Sequence, residues 1–312
     1  MMIRMPTMVI RTVRSKNPLR ECINKKRFMK PSLTKDRIRT LEKKSRQIRL
    51  QCIQMAHNAR ESHVKGALSC VDILIMLFHE ILRYDPQHYY DSFRDRFIFS
   101  KGHAAAALYA VLADADIIAN SLLSKYGKSN SPLPSHPCKH MLNVLDWSSG
   151  SLGHGLGVGT GMAYALKLKD STSSVFVLLS DGECNEGSTW EAAQFARAQH
   201  LDNLVAIVDY NGSQSIGYTD NLLGDANLAA KFQSFGWSVR ECDGHSFQEL
   251  WDAFQESYRD IGRPTAIIAR TNPGKGLSFL TDHILWHYRT PSEEEVHRAE
   301  VELSITSTVV EV

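Results

Sequence analysis

The chain has 312 residues, 43% of them hydrophobic and 22% charged, a composition suited to one large globular domain or two modest ones. No apolar run approaches the roughly 20 residues needed to span a bilayer, which argues against a membrane role. The formal net charge of +2 hides an asymmetry: residues 1–49 balance at +13, with Glu21, Asp36 and Glu42 the only acids, and residues 50–312 at −11. Positive charge stops where the globular pattern begins, which argues against nucleic-acid binding.

Residues 1–34 read as a basic, Met-rich extension outside the folded domain. They fit an extension without structure of its own or a start codon set too far upstream, a surface for a polyanion or partner, or a targeting segment. The six cysteines, Cys22, Cys52, Cys70, Cys138, Cys184 and Cys242, are scattered without a CxxC pair or a secretory signal. That pattern favours reduced thiols in the cytoplasm over disulfides or a zinc cage.

From Asp36 the pattern turns helical, with Ile38, Leu41, Ile48, Cys52 and Met55 at helical spacing. A second helix is expected from Ser69 to Leu82, with Ser69 as its cap and Asp72 in its first turn. Phe97–Phe99 then leads to an Ala-rich helix from His103. Val175–Leu179 leads to a helix from Ser188 to about Gln199, and Leu204–Val208 to a polar loop. Trp237–Arg240 precedes a helix over Phe247–Tyr258, and Pro264–Ala269 ends the series. Short, fully apolar strands alternating with helices predict a doubly wound α/β fold, its mostly parallel sheet covered on both faces by helices. The domain is expected over 35–290, with 291–312 as a C-terminal tail.

In such a sheet, ligands bind at the carboxyl ends of the strands. Ser180-Asp181-Gly182-Glu183 follows one strand and Asp209-Tyr210-Asn211-Gly212-Ser213 follows the next. A carboxylate, an amide oxygen and a nearby backbone carbonyl form a hard oxygen set suited to Mg²⁺ or Ca²⁺. Upstream, Gly150-Ser151-Leu152-Gly153-His154-Gly155 opens a helix and can expose N–H groups to a diphosphate. An Asp-Gly pair after a strand is by itself usually a turn, and a Gly-rich helix start is usually packing. Their occurrence at successive strand ends is what carries the reading.

Asp181-Gly182 followed 30 positions later by Asn211 resembles the thiamine-diphosphate signature. DGECNEGSTWEAAQFARAQHLDNLVAIVDYNG, with ESHVKGALS, SKGHAAAALYA, LPSHP, GSLGHGLGVGTG and RPTAIIARTNPGKGLSF, resembles the N-terminal domain of transketolases. The resemblance implies that Asp181, the Asn211 side chain and the Ser213 carbonyl hold Mg²⁺ or Ca²⁺ against thiamine diphosphate. Gly182, Gly150, Leu152 and Gly153 would line the cofactor. His103 would lie near the diphosphate and substrate, and His63 and His136 near the sugar hydroxyls. His287, or the nearby His283, would lie close to the cofactor. Glu186 and Glu191 match acids that link the two cofactor sites of a dimer.

The resemblance further implies transfer of a two-carbon ketol unit between sugars or sugar phosphates. A glutamate on a separate pyrimidine-binding domain activates the cofactor in this family, and no residue here matches it. The expected assembly is therefore a split transketolase, α2β2, completed by a C-terminal subunit. Several positions depart from the family pattern, among them Ser180, Lys65, Ser213, Ser215 and Tyr288. Lys65 and Tyr288 point to a specialised substrate. An E1-type subunit of a 2-oxo-acid dehydrogenase and a catalytically silent assembly partner are the alternatives.

Overall fold

Thr34 starts the first helix. Its hydroxyl accepts the Arg37 N–H at 3.2 Å, satisfying one of the donors that a helix start leaves open. Helix α1 then runs over Lys35–Ala59 and stops where Arg60 adopts the left-handed conformation. Leu41, Ile48, Cys52 and Met55 are buried, as their spacing requires, and Ile38 packs at the edge of the same core. The computed structural model describes residues 31–89, 94–222, 227–280 and 284–304. The basic segment 1–30 and His283 lie outside these.

The second helix departs from expectation. Instead of one helix over Ser69–Leu82, α2 (Val64–Ser69) and α3 (Val71–Met76) meet at Cys70, and Leu77–Ile81 widens into a π turn. Ser69 does not act as a cap because its hydroxyl is engaged elsewhere, 2.6 Å from the Asp209 carboxylate. Asp72 does lie in the first turn of α3, but it is buried and bonded by both Arg49 nitrogens at 3.0 and 2.7 Å. His245 Nδ1 lies 2.7 Å from the same carboxylate. The His245 Nε2 accepts the Asn272 N–H, which leaves the ring proton on Nδ1, facing Asp72.

Burial alone would raise the Asp72 carboxyl, but Arg49 and His245 outweigh it and hold the group well below the usual carboxylate range. Asp72→Ala is expected to destabilise the fold by about 3–5 kcal/mol, because Arg49 is left buried without its carboxylate. Urea unfolding measures this, and a loss below about 1 kcal/mol would show that the pair contributes little to stability.

The remaining elements alternate. β1 (Arg96–Phe99) is followed by α4 (Ala105–Asp114), and α5 (Gly155–Leu168) precedes β2 (Val175–Ser180). Then come α6 (Gly187–Ala198), β3 (Leu204–Tyr210), the short α7 (Thr219–Leu222), α8 (Leu228–Ser234) and β4 (Ser238–Asp243). α9 (Phe247–Ser257), β5 (Thr265–Arg270) and α10 (Glu293–Ser304) complete the chain order.

Among the described residues the sheet has five strands, all parallel, in the order β1-β2-β3-β5-β4. Side chains alternate between the faces. Phe176, Leu178, Val205 and Ile207 pack with α1–α4, α9 and α10. Val175, Val177, Ala206 and Val208 pack with α5, α6 and α8. The sheet is doubly wound, as the apolar strands predict.

Two consequences bear on the site. Ser180 of β2 is in register with Asp209 of β3, so the loops after these strands leave the sheet side by side. The stretch read as a tail contains α10, whose Ala299 and Leu303 enter the main core and whose Glu300 meets Gln54 of α1 at 3.2 Å. Among the described residues no helix is long and apolar enough to cross a membrane. Cys52, Cys70, Cys138, Cys184 and Cys242 are free thiols.

Candidate active site

Asp181 sits where β2 ends and is 1% exposed. Its Oδ1 accepts the Gly182 N–H at 2.9 Å. Its Oδ2 accepts the Gly212 N–H at 2.9 Å and the Thr219 hydroxyl at 2.6 Å. Gly212 lies between Asn211 and Ser213, so one carboxylate ties both strand-end loops together. The Asn211 Oδ1 accepts the Ser213 N–H at 2.9 Å, and its Nδ2 donates to the Ser69 hydroxyl at 3.2 Å.

Burial pushes the Asp181 carboxyl up to about 6, even though Thr219 and Gly182 donate to it. Its hydrogen-bond partners are uncharged N–H and O–H groups. The nearby cation, Lys101, is paired with Asp209 and does not offset the burial of Asp181, and an oxygen-ligated dication fits a carboxylate in that setting.

The glycine loop is packed tightly. Gly153 has a φ of +83°, and a Cβ there would lie 2.7 Å from the Glu186 Cβ, so only glycine fits. Its N–H donates to Glu183 at 2.9 Å and its carbonyl accepts from Ser188 at 2.8 Å. Gly153 therefore offers close approach, with its own N–H already engaged. Gly150 lies beside the His136 ring, and Gly182 packs against the Gln214 side chain. Leu152 is half-buried in the same loop, and its carbonyl faces His154 Nδ1.

The acidic residues sort differently from the sequence pattern. Glu186 and Glu191 are exposed on this chain, whereas Glu183 is fully buried. Glu183 also accepts the Ser100 hydroxyl, and burial raises its carboxyl. Its position two residues after Asp181 is the only sequence signal that singles it out.

His63, His103 and His287 converge. The ring centroids are 4.7 Å apart for His63 and His287, 5.8 Å for His63 and His103, and 6.0 Å for His103 and His287. His63 begins α2 in the left-handed conformation, φ 65°, and its N–H donates to the His287 carbonyl at 3.2 Å. His136 is exposed at the edge of this group and close enough to influence His63 and His103.

Burial, followed by the neighbouring cations and rings, lowers the pKa of all three clustered histidines, to about 4 for His287. They are neutral at ordinary pH and able to accept or donate a proton. An imidazole depressed in the fold takes up protons more readily once unfolded. Its contribution to stability is therefore present above about pH 6.5 and lost as pH falls towards about 4 for His287. Thermal melts of His287→Gln should show a shallower loss across that window than the parent chain. The comparison cancels the opposing effect of Asp181, and equal slopes would contradict it.

Beneath the strand-end loops lies a charged pair that the sequence reading passed over. Lys101, within SKGH, is fully buried and ion-paired with Asp209, also fully buried. Burial is the largest influence on Lys101 and pushes its pKa down, but attraction to Asp209 outweighs it and lifts the group above its usual value. Lys101 also donates to the Gly66 carbonyl at 3.0 Å, and Thr271 donates to Asp209. The departures from the family pattern also find places. Lys65 is buried in α2, and the Tyr288 hydroxyl donates to the Ser215 carbonyl at 2.9 Å. Ser215 and Tyr288 are therefore two ends of one contact.

Comparison with known proteins identifies the family to which the fold belongs. Residues 41–308 match the family model described as transketolase, thiamine diphosphate binding domain. An apulose-4-phosphate transketolase subunit from Actinobacillus succinogenes is 39% identical over 264 residues, covering 84% of this chain and 95% of that protein. Human transketolase is also 39% identical over 264 residues, covering 83% of this chain but 41% of that protein. The crystal structure of Campylobacter jejuni transketolase superposes with a TM-score of 0.80 at 27% identity, covering 86% of this chain and 43% of that one. The chain thus spans about two-fifths of the full-length transketolases it matches. With the parallel sheet, the joined strand-end loops and a match over most of its length, the chain belongs to the transketolase family, in its thiamine-diphosphate-binding domain.

Proposed function

We propose that this chain is the diphosphate- and metal-binding subunit of a two-component transketolase. It transfers a two-carbon ketol unit between sugar phosphates in the cytoplasm, completed by a pyrimidine-binding partner in an α2β2 assembly. The observation that carries the reading is the bond from Gly212 to Asp181, which joins two strand-end loops around a buried carboxylate. The name of the Actinobacillus succinogenes relative, and its near-complete coverage by this chain, support a subunit role and a phosphorylated sugar.

Asp181, the Asn211 amide oxygen and the Ser213 carbonyl would hold Mg²⁺ or Ca²⁺. Gly182, Gly150, Leu152 and Gly153 would form the wall against the diphosphate. When bound, thiamine diphosphate supplies the carbon nucleophile for ketol transfer. His63, His103 and His287, neutral and mutually close, would exchange protons with sugar hydroxyls, and the exposed His136 would meet the substrate at the rim. Glu186 and Glu191, exposed on this chain, would face a neighbouring subunit.

Calorimetric titration of the full chain with thiamine diphosphate tests the site. Binding is expected in Mg²⁺ and not in excess chelator. Equal affinity in both would remove the metal from the reading.

A further inference from the structure

To serve as a ligand, Asn211 must present oxygen rather than nitrogen to a cation. The two ends of an amide are nearly equal in size, and an NH₂ group turned towards a dication repels it. Something must fix which end faces the metal. The bonds beneath Asn211 have a direction that does so.

An ammonium group only donates and a carboxylate only accepts. Lys101 donates to Asp209 Oδ2 and to the Gly66 carbonyl. Thr271 donates to Asp209 Oδ1. Ser69 is fully buried, and its single hydroxyl proton can go to Asp209 Oδ2 at 2.6 Å or to the Gly66 carbonyl at 3.2 Å. Both are acceptors only. Whichever takes the proton, Ser69 can offer only lone pairs to Asn211, 3.2 Å away. The amide must therefore turn its NH₂ towards Ser69. Its oxygen faces the other way, where it accepts the Ser213 N–H at 2.9 Å and keeps a lone pair free.

We propose that Ser69 is a positioning residue for the metal site, passing the polarity of the Lys101–Asp209 pair to Asn211 so that the amide oxygen faces the cation. The proposal rests on the metal site of the proposed function. It adds a role for three residues, Ser69, Lys101 and Asp209, that need not touch cofactor or substrate. A buried hydroxyl that merely fills space between α2 and β3 would give the same packing without this polarity.

The two roles separate in a double-mutant cycle read by metal binding. Full-length chain with saturating thiamine diphosphate is titrated with Mn²⁺, and free Mn²⁺ is followed by electron paramagnetic resonance. Ser69→Ala should weaken Mn²⁺ binding by about 10–100-fold, the usual cost of losing a group that orients a ligand. The thermal midpoint of the metal-free chain should shift by only a few degrees. In an Asn211→Asp background both side-chain ends are oxygen and orientation no longer matters. There the same Ser69→Ala change should cost less than about threefold.

A loss below about threefold in the Asn211 background would overturn the relay, as would an equal loss in both backgrounds. Failure of the parent chain to take up Mn²⁺ with the cofactor is a different result, because it rejects the metal site itself. Normal uptake with no sensitivity to Ser69 rejects only the positioning role.

Discussion

Asp181→Ala is expected to weaken binding of thiamine diphosphate in Mg²⁺ by at least about a hundredfold, leaving no heat above background in calorimetry. Two losses combine. The proposed cation loses its only carboxylate among the named ligands, so the diphosphate charge is poorly compensated. The Gly182 and Gly212 N–H groups and the Thr219 hydroxyl also lose their common acceptor. Of these donors Thr219 is buried, and leaving it unmet costs about 1–3 kcal/mol of loop stability; about 2.7 kcal/mol lost from the ion contact itself is a hundredfold in affinity. Asp181→Asn narrows the comparison, because its one amide oxygen can still accept from Gly212 and Thr219 while the charge and the acceptor for Gly182 are lost. It should keep more of the loop arrangement and thermal stability than Asp181→Ala while still losing affinity. Binding by Asp181→Ala within about threefold of the parent chain would show that the buried carboxylate is not at the cofactor site.

What could be read from the sequence follows from how far each feature's causes lie along the chain. VFVLL, LVAIV and PTAIIA announce strands covered on both faces, because such strands have no polar side to show. Their ends were less legible. Ser180, Asp209 and Tyr210 continue the strands, yet polar residues there look like the start of a loop. The break at Cys70 was hidden because the apolar pattern runs through it. The contact that marks the difference, Ser69 with Asp209, spans 140 positions.

The candidate site divides the same way. Asp181, Asn211 and the glycine loop were visible as motifs, and the histidines as positions within motifs. That His63, His103 and His287 share one cluster required the fold. Lys101 and Asp209 were invisible as a pair because single charged residues read as solvent-exposed. Their partnership spans 108 positions. The helix α10 was missed for the opposite reason. EEEVHRAEVEL reads as a solvated charged stretch, although Ala299 and Leu303, four apart, are enough to anchor it.

This polypeptide alone is expected to show no measurable ketol transfer. In the proposed site the strand-end loops would hold the diphosphate end of the cofactor, and the histidine cluster would handle protons. In this family a glutamate on the pyrimidine-binding domain activates the cofactor, and general acid–base assistance of that kind is worth about 10²–10⁴-fold. The same domain would also cover the cofactor's exposed side and exclude water. The decisive measurement assays the purified chain with thiamine diphosphate, Mg²⁺ and a panel of ketose and aldose phosphates. It is run alone and mixed with a pyrimidine-binding-domain protein from the same organism. Turnover is expected only in the mixture, with loss of that activity in Asp181→Ala. Robust turnover by the single polypeptide would contradict the two-component reading, and a silent mixture with cofactor bound would point instead to an assembly partner without catalysis.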